Sequence, residues 1–121
     1  MKGIFVNEDE KPYAYWIVTG EKTIETRSRD MLKKLVGERV AVISTKRGRG
    51  PLVVGYVTIY EKQYETMPGL FRLCTMIPQG SKYDTEARWM YFLEYAEEVY
   101  TPYPLPENAV RHGRSWCEWE E

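Results

Sequence analysis

The chain has 121 residues, of which 43% are hydrophobic and 29% charged, and its formal net charge at pH 7 is −1. This length and composition fit one folded domain, residues 1–121, and exclude a disordered chain. The near-neutral charge argues against a wide electrostatic surface for long duplex DNA, so any nucleic-acid site must be local. Ten tyrosines and four tryptophans predict mainly a packed aromatic core, although such rings can also stack on bases.

Cysteine and histidine usage gives no sign of a metal or a disulfide framework. The cysteines are Cys74 and Cys117, and the one histidine is His112. We therefore predict no metal site and no cofactor. No apolar stretch approaches the ~20 residues of a membrane span, and the N-terminus turns acidic before a signal peptide could develop. We expect a cytoplasmic protein without a membrane partner, whose oligomeric state the sequence leaves open.

The first elements in chain order are a strand and a short helix. Residues 1–7 are typical of a strand. Residues 11–19 form an amphipathic helix in this prediction, because Pro12 suits a first turn and Gly20 suits the position just after a helix. The helix should bury Trp16 or Ile17 on its apolar face.

Strand patterns dominate the middle of the chain. Residues 23–29, 39–44 and 52–60 are rich in β-branched side chains and predict strands. Gly55 lies inside the last of these, where a glycine often marks a bulge or a bend. Residues 31–35 predict one helical turn.

The second half of the chain is less regular. A short helix is expected after Pro68, and strands are expected at 97–103 and 114–119, whereas 88–93 fits a strand or a helix. Many short strands with one or two short helices predict an α+β protein. We expect a small, mostly antiparallel β-barrel of roughly five or six strands.

The most informative segment joins the first helix to the next strand and reads Gly20-Glu21-Lys22-Thr23-Ile24-Glu25-Thr26-Arg27. Residues two apart on a strand share a face, so Glu25 and Arg27 should project together, with Lys22 at the turn before them. One interpretation is a solvated surface ion pair, worth ~0–1 kcal/mol. The other is a charged cleft beside the helix.

Gly20, Lys22, Glu25 and Arg27 match the pattern G-x-K-x-x-E-x-R, and this pattern after a short helix resembles the defining motif of the ASCH domain family. The segments 39–44, 53–57 and 113–116 are also similar to strands of that family. The resemblance implies a PUA-like fold and an association with RNA. It rests on analogy of fold, which does not by itself establish function.

The resemblance also implies possible enzymatic activity, since some ASCH proteins are amidohydrolases acting on N4-acetylcytidine and others have been proposed as ribonucleases. In an enzyme, Lys22 and Glu25 would be the catalytic residues. In the amidohydrolase subgroup a threonine stands in the place of Glu25. Alternation along the strand should point Thr23 and Thr26 away from Glu25, which argues against that particular activity.

A second candidate site is the basic segment Lys46-Arg47-Gly48-Arg49-Gly50. Cations between glycines can surround a phosphate with the help of exposed backbone N–H groups. We assign Lys46, Arg47 and Arg49 to ligand binding, together with Ser44 on the preceding strand. The alternative is a flexible solvated hairpin loop.

Three hypotheses about function follow. The first is a domain that binds RNA or a nucleoside or nucleotide through Lys22, Glu25 and Arg27. The second is a small hydrolase in which the Lys22–Glu25 pair performs acid–base chemistry. The third is a protein-interaction module that uses residues 101–106 and the acidic C-terminal end, Glu118, Glu120 and Glu121.

Overall fold

A computed structural model describes residues 1–85 and 87–121. Its strands are β1 (Lys2–Asn7), β2 (Ile24–Arg27), β3 (Arg39–Lys46), β4 (Arg49–Glu65), β5 (Arg88–Pro104), β6 (Val110–His112) and β7 (Trp116–Glu118). The α-helices are α1 (Tyr13–Val18) and α2 (Arg72–Thr75), and short 3-10 helices occupy Lys33–Leu35 and Pro68–Phe71. The expected α+β architecture with short helices is confirmed.

The strands form one mixed sheet in the order β2-β5-β4-β3-β1-β7-β6. β1 and β3 are parallel, and every other neighbouring pair is antiparallel. The sheet is therefore mostly antiparallel, as expected. The closed barrel is not confirmed, because no ladder joins the edge strands β2 and β6 within residues 1–85 and 87–121. The sheet also has more strands than the roughly five or six predicted.

Alternation along β1 and β3 divides the core between the two faces of the sheet. Ile4 and Val6 belong to the larger cluster, whereas Phe5 belongs to the smaller one with Cys117 and Trp119. Helix α1 packs on the larger cluster through Ala14, Ile17 and Val18, and Ile17 is fully buried, as the helical pattern predicted.

Gly55 allows α1 to lie close to the sheet. The β4–β5 ladder shifts register between Val53 and Gly55. A Cβ at position 55 would lie 2.1 Å from the carbonyl oxygen of Glu97 and 2.6 Å from a methyl carbon of Val18. The predicted irregularity at this glycine is confirmed, and its cause is close packing on both sides.

Two segments differ from the sequence predictions. Residues 88–93 and 97–103 belong to one long strand, β5, which contains Tyr95 at a positive φ of 54°. The basic segment is the tight turn of a hairpin, in which the flanking residues Lys46 and Arg49 already belong to β3 and β4 and pair with each other. Across the described residues, no helix is long and apolar enough to cross a lipid bilayer.

Candidate functional site

The turn after α1 carries Lys22 into the protein interior. Gly20 adopts a positive φ of 84°, and the Lys22 N–H donates to the carbonyl of Trp16 at 2.9 Å. The Lys22 side chain is 1% exposed, and its ammonium donates to the carbonyl oxygen of Thr75. Lys22 Nζ also lies 5.2 Å from the centre of the Tyr13 ring. Lys22 is thus held both by its neighbours in sequence and by a residue far along the chain.

Glu25 lies between two cations on β2. Its Oε1 is 3.6 Å from Lys22 Nζ, and its Oε2 accepts from Arg27 Nη1 at 2.5 Å. The Thr26 N–H also donates to Glu25, at 3.2 Å. The Glu25 side chain is 7% exposed. The structure therefore brings the three charged residues of the motif together in a largely buried group.

Arg27 connects this group to β1. Its Nη2 donates to the carbonyl oxygen of Phe5 at 2.6 Å, while its Nη1 binds Glu25. A single guanidinium thereby holds the carboxylate in place and spans the gap between the edge strand β2 and the end of β1.

A cavity of about 260 Å³ adjoins these residues. One part of its wall comes from the end of β1 (residues 5–7), Tyr13 of α1, and Lys22 with residues 25–27. The other part comes from Met31, Ile77, Tyr83, Arg88 and residues 114–115. Its volume lies just below the ~300–1,000 Å³ that is typical of ligand pockets, so it can hold only a small group.

Sequence reasoning missed Arg88. This side chain lines the cavity and is 7% exposed, and its Nε donates to Thr26 Oγ1 at 2.8 Å. Arg88 reaches Thr26 because β2 and β5 pair in antiparallel fashion. This pairing places Thr26 opposite Met90, two residues from Arg88. The available signal was a cation at the start of the apolar run Arg88-Trp89-Met90-Tyr91.

Comparison with solved structures identifies the fold. The ASCH protein of Zymomonas mobilis matches with a TM-score of 0.66 and 19% identity over 85% of this chain and 73% of that one. A serine-to-alanine variant of it matches with a TM-score of 0.71 and 18% identity over 98% of this chain and 88% of that one. A tyrosine-to-phenylalanine variant matches with a TM-score of 0.66 and 20% identity over 87% of this chain and 77% of that one.

This chain has the ASCH fold. The resemblance drawn from G-x-K-x-x-E-x-R is therefore confirmed at the level of the fold. No family model matches the sequence, and no curated protein matches it. The similarity accordingly lies in backbone architecture, while the chemistry of the site has to be argued from this chain's own residues.

Burial and charge determine the protonation of the central pair in this ASCH fold. Burial lowers the pKa of the Lys22 ammonium below its ordinary value, and Glu25 opposes this effect without cancelling it. Burial alone would raise the pKa of the Glu25 carboxyl, but Arg27, Lys22 and the hydrogen bonds from Arg27 and the Thr26 N–H hold that pKa below its usual range. Glu25 is consequently an ionised acceptor at neutral pH.

Aromatic side chains complete the wall beside Lys22. The rings of Tyr13 and Tyr83 meet edge to face with their centres 5.9 Å apart. Tyr13 donates from its hydroxyl to Glu10 at 2.6 Å, and burial raises the pKa of the Tyr13 phenol. Thr26, which we expected to point away from Glu25, also lines the cavity.

The second predicted site lies outside the cavity wall. Ser44 is buried, its hydroxyl donates to Glu8, and Arg49 donates to the Ser44 hydroxyl at 2.6 Å. The Arg47 N–H donates to Asp9 at 2.7 Å. These contacts attach the Lys46–Arg49 turn to the chain just after β1, next to Asn7, which does line the cavity. In the part of the chain that the structure describes, no cluster of histidine, cysteine and carboxylate side chains suits a metal ion.

Proposed function

We propose that this domain binds RNA or a nucleotide, with one nucleoside unit bound at the cavity. The observation that carries the proposal is Glu25, an ionised acceptor fixed between Lys22 and Arg27 at the wall of the cavity. A carboxylate accepts well from an exocyclic amine of a base, and cationic side chains donate to base or phosphate oxygens. Tyr83 and Tyr13 supply aromatic surface beside them.

The charge balance supports a single-stranded ligand. The net charge is −1, whereas the described cavity wall contains four basic side chains, Lys22, Arg27, Arg88 and Arg114, and one carboxylate. Positive charge is thus concentrated at one place, as suits one exposed nucleotide better than an extended duplex.

In this proposal the β3–β4 turn makes outer contacts. Lys46, Arg47 and Arg49 lie beyond the cavity wall, so we assign them to phosphates of a strand that continues past the bound nucleotide. Ser44 then acts by holding Arg49 in place. Replacing Lys46 and Arg47 should weaken binding of an oligonucleotide and leave mononucleotide binding unchanged.

Fluorescence titration at low salt tests the proposal directly, using short single-stranded RNAs and a set of nucleotides. Glu25→Gln keeps the shape of the side chain and removes its charge. We expect this variant to lose ~1–3 kcal/mol of binding free energy, the range for one hydrogen bond to a charged group. Glu98→Gln, on an exposed part of β5, is the matched control and should bind like the original chain. Absence of binding to all probes at low salt would overturn the proposal.

A second candidate, a small hydrolase acting on a nucleoside amide or on RNA, is favoured by Lys22. Burial disfavours its charged form, and an amine whose pKa is lowered in this way can serve as a general base. Incubation with N4-acetylcytidine and with RNA, followed by product analysis, distinguishes the candidates. Turnover that disappears in Lys22→Ala would establish catalysis, and absence of both products would leave binding alone.

A further inference from the structure

Arg88 makes fewer contacts with polar groups than two other cations of the cavity wall, Lys22 and Arg27. Lys22 contacts Thr75 and Glu25, and Arg27 contacts Glu25 and Phe5. In contrast, only Nε of the Arg88 guanidinium donates to a side chain, that of Thr26. Within residues 1–85 and 87–121, its Nη1 and Nη2 make no hydrogen bond and no ion pair.

The Arg88 side chain borders the cavity. Arg88 is one of the residues that form the cavity wall, next to Thr26 and Tyr83. Since the residue as a whole is 7% exposed and lines the cavity, the cavity is the space that a group bound to its guanidinium would occupy.

The guanidinium is held in a fixed position. Thr26 accepts from its Nε at 2.8 Å, and the Tyr83 ring lies with its centre 5.9 Å from Arg88 Cζ. A guanidinium anchored through Nε presents Nη1 and Nη2 as a planar pair of donors, the geometry that binds two oxygens of a phosphate at once.

The charge of the group also requires an anion. Burial lowers the pKa of Arg88, although the guanidinium stays protonated. Glu25, the one carboxylate among the described cavity residues, already binds Arg27 and Lys22. Glu25 favours the charged form of Arg88 without offsetting its burial, so a bound anion would further stabilise this largely buried cation.

We propose that Arg88 is a phosphate subsite, so that the natural ligand is a nucleotide or a nucleotide unit of a strand and not a free nucleoside. This inference rests on the proposed function. It adds a phosphate-binding side chain inside the cavity, whereas the sequence patterns placed phosphate binding in the β3–β4 turn. The base would occupy the side of the cavity near Glu25, and the phosphate would bind Nη1 and Nη2 of Arg88.

Isothermal titration with a nucleoside, its 5′-monophosphate and its 3′-monophosphate tests the inference. We expect one monophosphate to bind the original chain about 10–100-fold more tightly than the nucleoside, the range for hydrogen bonds to a charged group. Arg88→Met should abolish this gain, so that the variant binds the nucleoside and the monophosphate with equal affinity. Arg88→Lys should keep part of the gain, because lysine retains the positive charge but lacks the planar pair of N–H donors.

Arg39→Met is the matched control, since Arg39 is exposed and ion-paired with Glu97 on another part of the sheet. It should retain the full gain. Equal affinities of the original chain for nucleoside and both monophosphates would overturn the inference and leave the proposed function standing, whereas failure of every probe to bind would overturn both. If Arg88→Met does not fold, Arg88→Lys provides the test. An undiminished gain in that variant would contradict binding of the phosphate by both Nη1 and Nη2.

Discussion

Arg27 donates from Nη2 to the carbonyl oxygen of Phe5 at 2.6 Å, although β2 and β1 share no backbone ladder. A side chain thus joins two strands that the order of the sheet keeps apart. The same guanidinium neutralises Glu25. Arg27 therefore both links the edge strand β2 to β1 and balances the charge of the carboxylate in the cavity wall.

Replacing Arg27 by Met should therefore destabilise the protein as well as impair binding. Glu25 would keep Lys22 as its one cationic neighbour among the motif residues, and removing one partner of a buried ion pair costs about 3–5 kcal/mol. Chemical denaturation measures the loss. Arg29→Met, on an exposed residue of the same segment, should change the free energy of unfolding by less than about 0.5 kcal/mol. Equal effects of the two substitutions would contradict the bridging role.

Glu25 should contribute a pH-dependent part of the stability. Its folded pKa lies below the ordinary value of 4.5, so the folded state favours the ionised carboxylate. The resulting stability is fully present above pH 4.5 and is lost as the pH falls through the folded pKa. The difference in free energy of unfolding between the original chain and Glu25→Gln should shrink on acidification below pH 4.5. A difference that stays constant to low pH would show that the Glu25 charge is not stabilising.

Lys22 should show a change in the same direction at alkaline pH, with stability increasing as the pH rises. Burial lowers its folded pKa below the ordinary 10.5, so the unfolded chain binds the proton more tightly than the folded one. Stability therefore rises with pH between the folded pKa and 10.5. Relative to Lys22→Met, the original chain should gain stability as the pH is raised through this interval. Denaturation series at matched pH values measure the difference, and a relative loss of stability would contradict the burial of the ammonium.

Gly55→Ala should be strongly destabilising. The new Cβ would lie 2.1 Å from the carbonyl oxygen of Glu97, and backbone cannot move aside as a flexible side chain can. We expect a loss of about 3 kcal/mol or more, at the upper end for overpacking. Gly50→Ala is the matched control, since a Cβ added there would have no heavy atom within 4 Å beyond its chain neighbours, and its melting temperature should be nearly unchanged.

Local patterns were sufficient for the elements that surround the motif. Helix α1, strand β2 and the irregularity at Gly55 each follow from a few consecutive residues, because periodicity, a helix-ending glycine and β-branched side chains act at short range. The family pattern at Gly20, Lys22, Glu25 and Arg27 correctly indicated the ASCH fold. Its charged members were also expected to lie together, and they do.

Contacts between distant parts of the chain explain what the sequence did not reveal. Arg88 reaches the cavity through the β2–β5 ladder, and Lys22 is held in the interior by a carbonyl of Thr75, neither of which leaves a local pattern. Strand β6 was not predicted because Val110, Arg111 and His112 are all exposed and show no apolar alternation. The closed barrel is not confirmed, because strand patterns indicate which segments are extended and not how the strands of a sheet are joined.

The long connection between β4 and β5 forms part of the cavity wall without belonging to the sheet. Residues 66–85 of this connection hold Lys22 through the Thr75 carbonyl and hold Thr23 through the Cys74 carbonyl at 2.9 Å, and they contribute Ile77 and Tyr83 to the cavity wall. The sheet itself is completed without them. This connection thus shapes the cavity and positions Lys22, while its described residues contribute no strand to the sheet.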